Sequence, residues 1–475
     1  MNIYYERGRQ EGSHFYHVGD GFYYNVNHIS NNSISFRCNR SSCPGRAKCV
    51  GGRFLHTIAH VHGPDPFLRE VLAARRAIID QARSPTYVTF GEIIATERAR
   101  LENRYVRSQL TMRRLRPAMQ RARSGTFPNL PQNLAELSAI LQNPDWEALT
   151  MTLDEEDSMY LGSTWSEDGS HNIIFASKRC LQLMRMASVI FADGTFFIKP
   201  SVDGCYQVFT IVTIYGNTVV PLCWCLMESK TESAYIAVLL LLRTHLIWWS
   251  FERVICDFED AMIAAFSMVF QVPVQGCLFH AVSAMSKHAR TNIGVPFIQA
   301  LEVQMVVRLC CSLPLLPSDF LHRGLNIIGQ LALETFHPLL YAVVRPFLAY
   351  ILHEWLGHIN RGATLSVSGS VHRTNNASES NNGMMKRRFG VHHPNIYHFL
   401  GKLKNFEDSM IDDIYSLSLG LIPSRHRTVA AVSNDLYIQQ LTTQLLQDPS
   451  DFQILNFLFA ACYSVENVVN DNLQL

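Results

Sequence analysis

Two short apolar runs, each ended by an aspartate, bracket a β-hairpin and a helix in the middle of this 475-residue chain. Residues 189–192 lead into Asp193, and residues 254–256 lead into Asp257. Between them, residues 206–215 and 219–227 alternate and are rich in β-branched side chains about Gly216-Asn217, which predicts a hairpin. Residues 232–243 predict a helix, 253–256 a strand, 260–270 a helix and 274–279 a further strand. With residues 187–192 as the first strand, the order is three antiparallel strands, helix, strand, helix, strand. That is an α/β arrangement, a ribonuclease H-like mixed sheet, in which the ends of the first and fourth strands are neighbours. Asp193 and Asp257 are therefore expected side by side.

A third carboxylate completes the pattern. Glu379 lies in Thr-Asn-Asn-Ala-Ser-Glu-Ser-Asn-Asn, at the start of what reads as a helix. Two Asp on strand ends and one Glu on a helix are hard oxygen ligands for two divalent cations, Mg²⁺ or Mn²⁺, ~4 Å apart. Such a site cuts or joins phosphodiester bonds. Each residue also has a plainer reading. Asp193-Gly194 fits a turn, Glu259 and Asp260 beside Asp257 are alternative ligands, and Asn376 with Glu379 fits a helix capping box.

The chain is too long for one core, and 48% apolar residues exclude a disordered protein. A net charge of +1 hides a local excess. Residues 69–123 carry thirteen Arg and no Lys against five acids, densest over 113–123. Arg113, Arg114 and Arg116 there suit a phosphate backbone, because guanidinium presents a planar fork of donors. A solvated helical linker has the same composition. Twelve Cys are scattered, several in apolar stretches, and no secretory leader or bilayer-length run is visible, so no membrane partner is expected.

Residues 15–62 read as short strands, with a hairpin about Gly19-Asp20-Gly21 and a third strand over 33–38. Cys38, Cys43, His60 and His62 are spaced Cys-x4-Cys-x16-His-x-His, and thiolate plus imidazole at four positions is what zinc prefers. A segment this poor in aliphatics needs such a staple. His60-Val61-His62 is expected to place both rings on one face of an extended strand. Cys49 and His56 are alternative ligands. Helices are expected over 68–80, 90–101 and 107–122, with a break at Ser84-Pro85 and a Pro-rich joint over 124–132.

Tyr24, Phe36-Arg37-Cys38, Cys43 and the closing His-x-His resemble a FLYWCH-type zinc finger, with Phe36 where that family usually has Trp. Residues 193–196, 221–233, 256–260 with the following helix, Cys277-x-x-His280, 374–387 and 393–400 resemble a Mutator-like (MULE) transposase over about residues 150–410. The resemblance implies a nuclear DDE transposase that works on transposon ends and target DNA, with Asp193, Asp257 and Glu379 as ligands of catalytic Mg²⁺ or Mn²⁺ and one structural zinc in the finger. It also implies a homo-oligomer assembled on DNA. Cys277 and His280 are expected to bind metal, steer DNA or support the fold, with His280 at a strand end near Asp257. The expected organisation is a zinc finger over 1–66, a basic helical linker over 67–150, and a core over 151–290. A helical insertion over 291–362, core completion over 363–412 and a tail of short helices over 413–475 follow. The alternative is a domesticated copy that binds DNA without catalysis.

Overall fold

The structure, a computed structural model, describes residues 2–8, 12–84, 87–246, 249–357, 365–421 and 428–474. Its chain divides into two compact units, Met1–Asn129 and Leu130–Leu475. The fold class is mixed α/β, with an antiparallel sheet in the first unit and a mixed sheet with helices in the second.

The first unit opens with a six-stranded antiparallel meander: β1 (Tyr4–Arg7), β2 (His14–His17), β3 (Tyr24–Ser30), β4 (Ser33–Cys38), β5 (Arg46–Val50) and β6 (Arg53–Ile58). The expected hairpin is β2–β3, and the expected third strand is β4. The polar strands β1, β5 and β6 have no apolar alternation to announce them. Four buried side chains, Tyr24, Phe36, Ala47 and Phe54, form the centre of this sheet's core. That is little apolar surface for a sheet of six strands, so the fold needs a further constraint.

Helices follow at Leu68–Ala82, Phe90–Arg100, Arg104–Gln109 and Met112–Arg123. Thr89 and Glu92 close a capping box on the second. The single helix expected over 107–122 is two, because Thr111 is extended and Leu110 turns inward to join Ile78, Ile94, Leu115 and Met119. Pro85 lies outside the described residues.

The second unit carries a seven-stranded sheet in the order β13-β12-β9-β10-β11-β8-β7. Its strands are β7 (Tyr160–Trp165), β8 (His171–Phe175), β9 (Val189–Thr195), β10 (Gln207–Tyr215), β11 (Thr218–Met227), β12 (Arg253–Cys256) and β13 (Val274–Gly276). The β10–β11 turn holds Gly216 and Asn217 at φ 53° and 57°, as a two-residue hairpin requires. Strands β12 and β13 are parallel, and β12 is parallel to β9, with Ile255 opposite Phe191. Carried on by two residues, that register sets Asp257 beside Asp193. The hairpin β7–β8 at the far edge was not expected, since a register shift at Gly162 breaks its alternation.

The strand expected over 274–279 stops at Gly276. Residues 278–293 are a helix, and its buried positions Leu278, Ala281, Val282, Met285 and Ala289 have helical spacing. His280 therefore lies on a first helical turn and not on a strand. Helix Asn376–Phe389 packs across β9, β10 and β11, and helix Ile396–Ser418 sets Phe399 and Phe406 against Phe175 and Trp224.

One apolar cluster joins helix Leu278–Ile293 to Leu301–Ser312, Leu321–Thr335 and Pro338–Tyr350, and also to the C-terminal Val429–Gln447, Asp451–Ala461 and Glu466–Leu473. The C-terminal helices are thus not a tail of short pieces. They include 19 residues in Val429–Gln447 and bury Ile438, Leu445, Phe457 and Leu458 in that cluster. Among the described residues, Pro338–Leu356 is long and apolar enough by composition to cross a membrane. Val344, Phe347 and Ile351 on it are buried against the other helices. Trp355 meets Phe258 edge-on at 5.0 Å and donates to Tyr350, which makes it a packing residue.

Candidate functional site

The structure brings two groups of metal-ligand side chains together, one in each unit. In the first, Cys38 ends β4 and Cys43 sits in the turn before β5. The backbone N–H groups of Arg40 and Gly45 each donate to one sulfur at 3.4 Å. His60 and His62 lie in a bend beyond the end of β6, not on an extended strand, yet their rings still converge on the sulfurs. Cys38 Sγ is 3.2 Å from His62 Nε2, and Cys43 Sγ is 3.4 Å from His60 Nδ1. Tetrahedral zinc with Zn–S ~2.3 Å and Zn–N ~2.1 Å has S···N edges of about 3.6 Å. The cluster is compatible with a zinc site.

The outer nitrogens are also held, which fixes the tautomers that zinc needs. His60 Nε2 is 2.8 Å from the Tyr24 hydroxyl, and His62 Nδ1 is 2.6 Å from the Gly63 carbonyl oxygen. Phe22 stacks on His60 at 4.1 Å. Gly45 is required here, because a Cβ would come within 2.6 Å of His60 Nδ1. His56 is not a ligand: it bonds the Tyr24 hydroxyl and lies 3.2 Å from Asp20. Cys49 packs on the aromatic core. Tyr24 was read as part of a resemblance only, and its role beside His60 has no sequence signal of its own.

In the second unit, Asp193 lies within β9, two residues before its end, and Asp257 directly follows β12. Asp193 accepts from its neighbour Gly194 N–H and from Asn382 Nδ2, both at 2.7 Å. Burial, and then the charge of Asp257, push its carboxyl up to about 7. Asp257 Oδ1 is 2.9 Å from His280 Nδ1, and on the other side of that ring Nε2 is 3.9 Å from Glu379 Oε1. Asp257 and Glu379 therefore flank one imidazole, while Asn382, a turn beyond Glu379 on the same helix, holds Asp193. His280 is pushed up to about 10, first by its hydrogen bond to Asp257 and then by one to Cys277. As an imidazolium it offsets the repulsion between the acids in the metal-free protein.

Glu379 is not the far member of a capping box. The helix begins at Asn376, its N-cap is Asn375, and the buried Asn375 amide donates instead to Ala192 O at 3.2 Å and Asp257 at 3.3 Å. Glu259 is engaged by the Tyr235 hydroxyl at 2.9 Å, which in turn accepts from Gln207. Gln207 explains Gly194, where a Cβ would fall 2.2 Å from its amide oxygen. Asn375, Asn382, Tyr235 and Gln207 were missed by residue-by-residue reading; the density of Asn around Glu379 was the available signal for the first two.

Arg113, Arg114 and Arg116 are exposed on helix Met112–Arg123, and Arg114 bonds Gln109. Arg123 points inward, stacked between Tyr87 and Phe90 at 4.3 and 4.2 Å. The chain matches no protein-family model and no curated protein. What the second site can do follows from its donors alone. Two carboxylates on adjacent parallel strands and a third on a crossing helix offer hard oxygens on a surface that water reaches.

Proposed function

We propose that this chain is a DNA transposase of the Mutator-like type, with a FLYWCH-type zinc finger ahead of a ribonuclease H-like core. The observation that carries this reading is that Asp257 and Glu379 flank His280 while Asn382, on the Glu379 helix, holds Asp193, three segments spread over the sequence. The strand order supports it as well: β9, β10 and β11 are antiparallel, with β12 and β13 added parallel on the β9 side.

Mg²⁺ or Mn²⁺ fits the donors of this pocket. A half-buried carboxylate beside a like charge, with an elevated pKa, is a group that gains from a cation. When bound, such ions activate water or a 3′-hydroxyl and stabilise the leaving oxygen. The protein's own part is positional. Asn382 and the Gly194 N–H orient Asp193, Asn375 ties Asp257 to the end of β9, and His280 aligns Asp257 with Glu379. Arg113, Arg114 and Arg116 offer contacts to DNA phosphates, and the proposed setting is a nuclear oligomer assembled on DNA.

Nicking of supercoiled DNA with Mg²⁺ or Mn²⁺ tests the reading. The protein should nick, and Asp257→Asn and Glu379→Gln should lower the rate by at least about a hundredfold while still binding DNA. DNA binding without nicking by the unaltered chain would instead establish the domesticated alternative.

A further inference from the structure

We infer that Asp257, Cys277 and His280 form a site for one thiophilic divalent cation of the zinc or cobalt type, which shares Asp257 with the proposed hard-oxygen site but differs from it in its sulfur and nitrogen donors. The three donor atoms, a carboxylate oxygen, a sulfur and an imidazole nitrogen, lie within 4.8 Å of one another. Among the described residues only one other group of this kind occurs, the Cys38–Cys43–His60–His62 cluster. A set with one thiolate and one imidazole favours borderline and soft ions over Mg²⁺, which takes oxygen.

The surroundings are those of a built site. Cys277 is fully buried at the N-cap of helix Leu278–Ile293, and its sulfur accepts the Asn375 N–H at 3.2 Å. His280 follows by three residues, so the first helical turn brings its ring back over the sulfur. Its far nitrogen faces Glu379 at 3.9 Å, the place of the carboxylate that orients a metal-bound histidine. Asn375 also holds Asp257, so one buried residue supports two of the three donors. The side chains of Asp257 and His280 are 34% and 38% exposed, which leaves an approach for the ion and a fourth position for water. Three protein ligands and an open position match a reactive zinc geometry, not a closed structural one.

One adjustment is needed. His280 Nδ1 and Asp257 Oδ1 are 2.9 Å apart, whereas oxygen and nitrogen on one zinc are separated by about 3.4 Å. An opening of roughly half an ångström at two partly exposed side chains lies within rotamer adjustment. Cys277 and His280 alone are two ligands, too few for a zinc site; Asp257 supplies the third.

The test uses the full chain with zinc already in the N-terminal cluster, titrated with Co²⁺, which binds such ligands more weakly than zinc and leaves that cluster filled. The expected result is one Co²⁺ per chain with thiolate-to-cobalt absorption in the near ultraviolet. Cys277→Ser should abolish that absorption. His280→Gln should keep the absorption at saturation and weaken binding by about tenfold or more. Absence of the thiolate-to-cobalt band from the unaltered chain overturns the inference, and needs no variant to fold. Full retention of the band in Cys277→Ser, with unchanged circular dichroism, overturns it too. Neither readout involves DNA, so the outcome is independent of whether the chain is a transposase.

Discussion

Asp193→Asn removes a charge and almost no volume, so it separates the electrostatics of the second site from its shape. The Asp193 carboxyl is pushed from the ordinary aspartate value of 3.8 to about 7, by burial first and Asp257 second. At about 1.4 kcal/mol for each factor of ten in proton affinity, ionising it costs the metal-free fold up to ~4 kcal/mol. The folded value is raised, so the stability linked to this group is fully present below about pH 4 and is lost as pH rises through about 7. Asparagine cannot ionise. Its carbonyl can accept from Gly194 N–H, and its amide can donate to Asn382 Oδ1, a buried oxygen with no partner in the native site. Without metal at pH 8, Asp193→Asn should therefore raise the melting midpoint of the larger unit. At on the order of 1–2 °C per kcal/mol for a unit of this size, the gain is roughly 4–8 °C. The gap should shrink to less than half at pH 5. Millimolar Mg²⁺ should raise the native protein toward the variant and leave the variant unmoved. Calorimetry of both proteins at the two pH values, with chelator and then with Mg²⁺, reads all of this. Equal midpoints at pH 8 in chelator, or a less stable variant there, would refute the argument.

Four further expectations follow from the geometry. Chelation of the N-terminal cluster should unfold the meander, seen as loss of its hydrogen-exchange protection, because Tyr24, Phe36, Ala47 and Phe54 are too small a core. Tyr24→Phe, which removes only the hydroxyl shared by His60 and His56, should weaken zinc affinity about tenfold in a competition titration and leave the apolar packing in place. Replacing Arg113, Arg114 and Arg116 with Ala should lower DNA affinity across sequences and flatten its salt dependence by up to about three charges, measured by anisotropy. Gly276→Ala should destabilise the larger unit by about 1–3 kcal/mol in denaturant unfolding, since its Cβ would stand 2.1 Å from the Phe258 ring next to Asp257.

What was legible in the sequence is the part written in period and punctuation. Alternation gave β10 and β11, Gly216-Asn217 gave their turn, and the apolar runs gave β9 and β12, with Asp257 at the strand end expected. Ligand spacing gave the four N-terminal residues. The failures have physical causes. Residues 277–279 continue the apolar run of 274–276 and so read as strand, and only the covered face of helix Leu278–Ile293 shows their true period. Leu110 breaks a helix because a tertiary core takes it, which no local propensity encodes. His280 between Asp257 and Glu379, and Asn382 on Asp193, are contacts over long separations in the chain. They exist only once β9, β12 and the Glu379 helix have been assembled.

The apolar helical layer has an unusual authorship: residues 278–356 lay down one part, and residues 429–473 return to complete it. The helix that carries Glu379 is written between the two. On a ribosome, all three acidic residues emerge before Phe457 and Leu458 are available to close over Leu325 and Ile328. The nascent chain thus holds a complete set of acids beside an open greasy trough. A premature stop near residue 420 would spare every candidate catalytic residue and still yield a chain with that trough exposed, prone to clump and to be degraded. Residues 429–473 are thus as necessary to the packing of the larger unit as the three acids are to its candidate site.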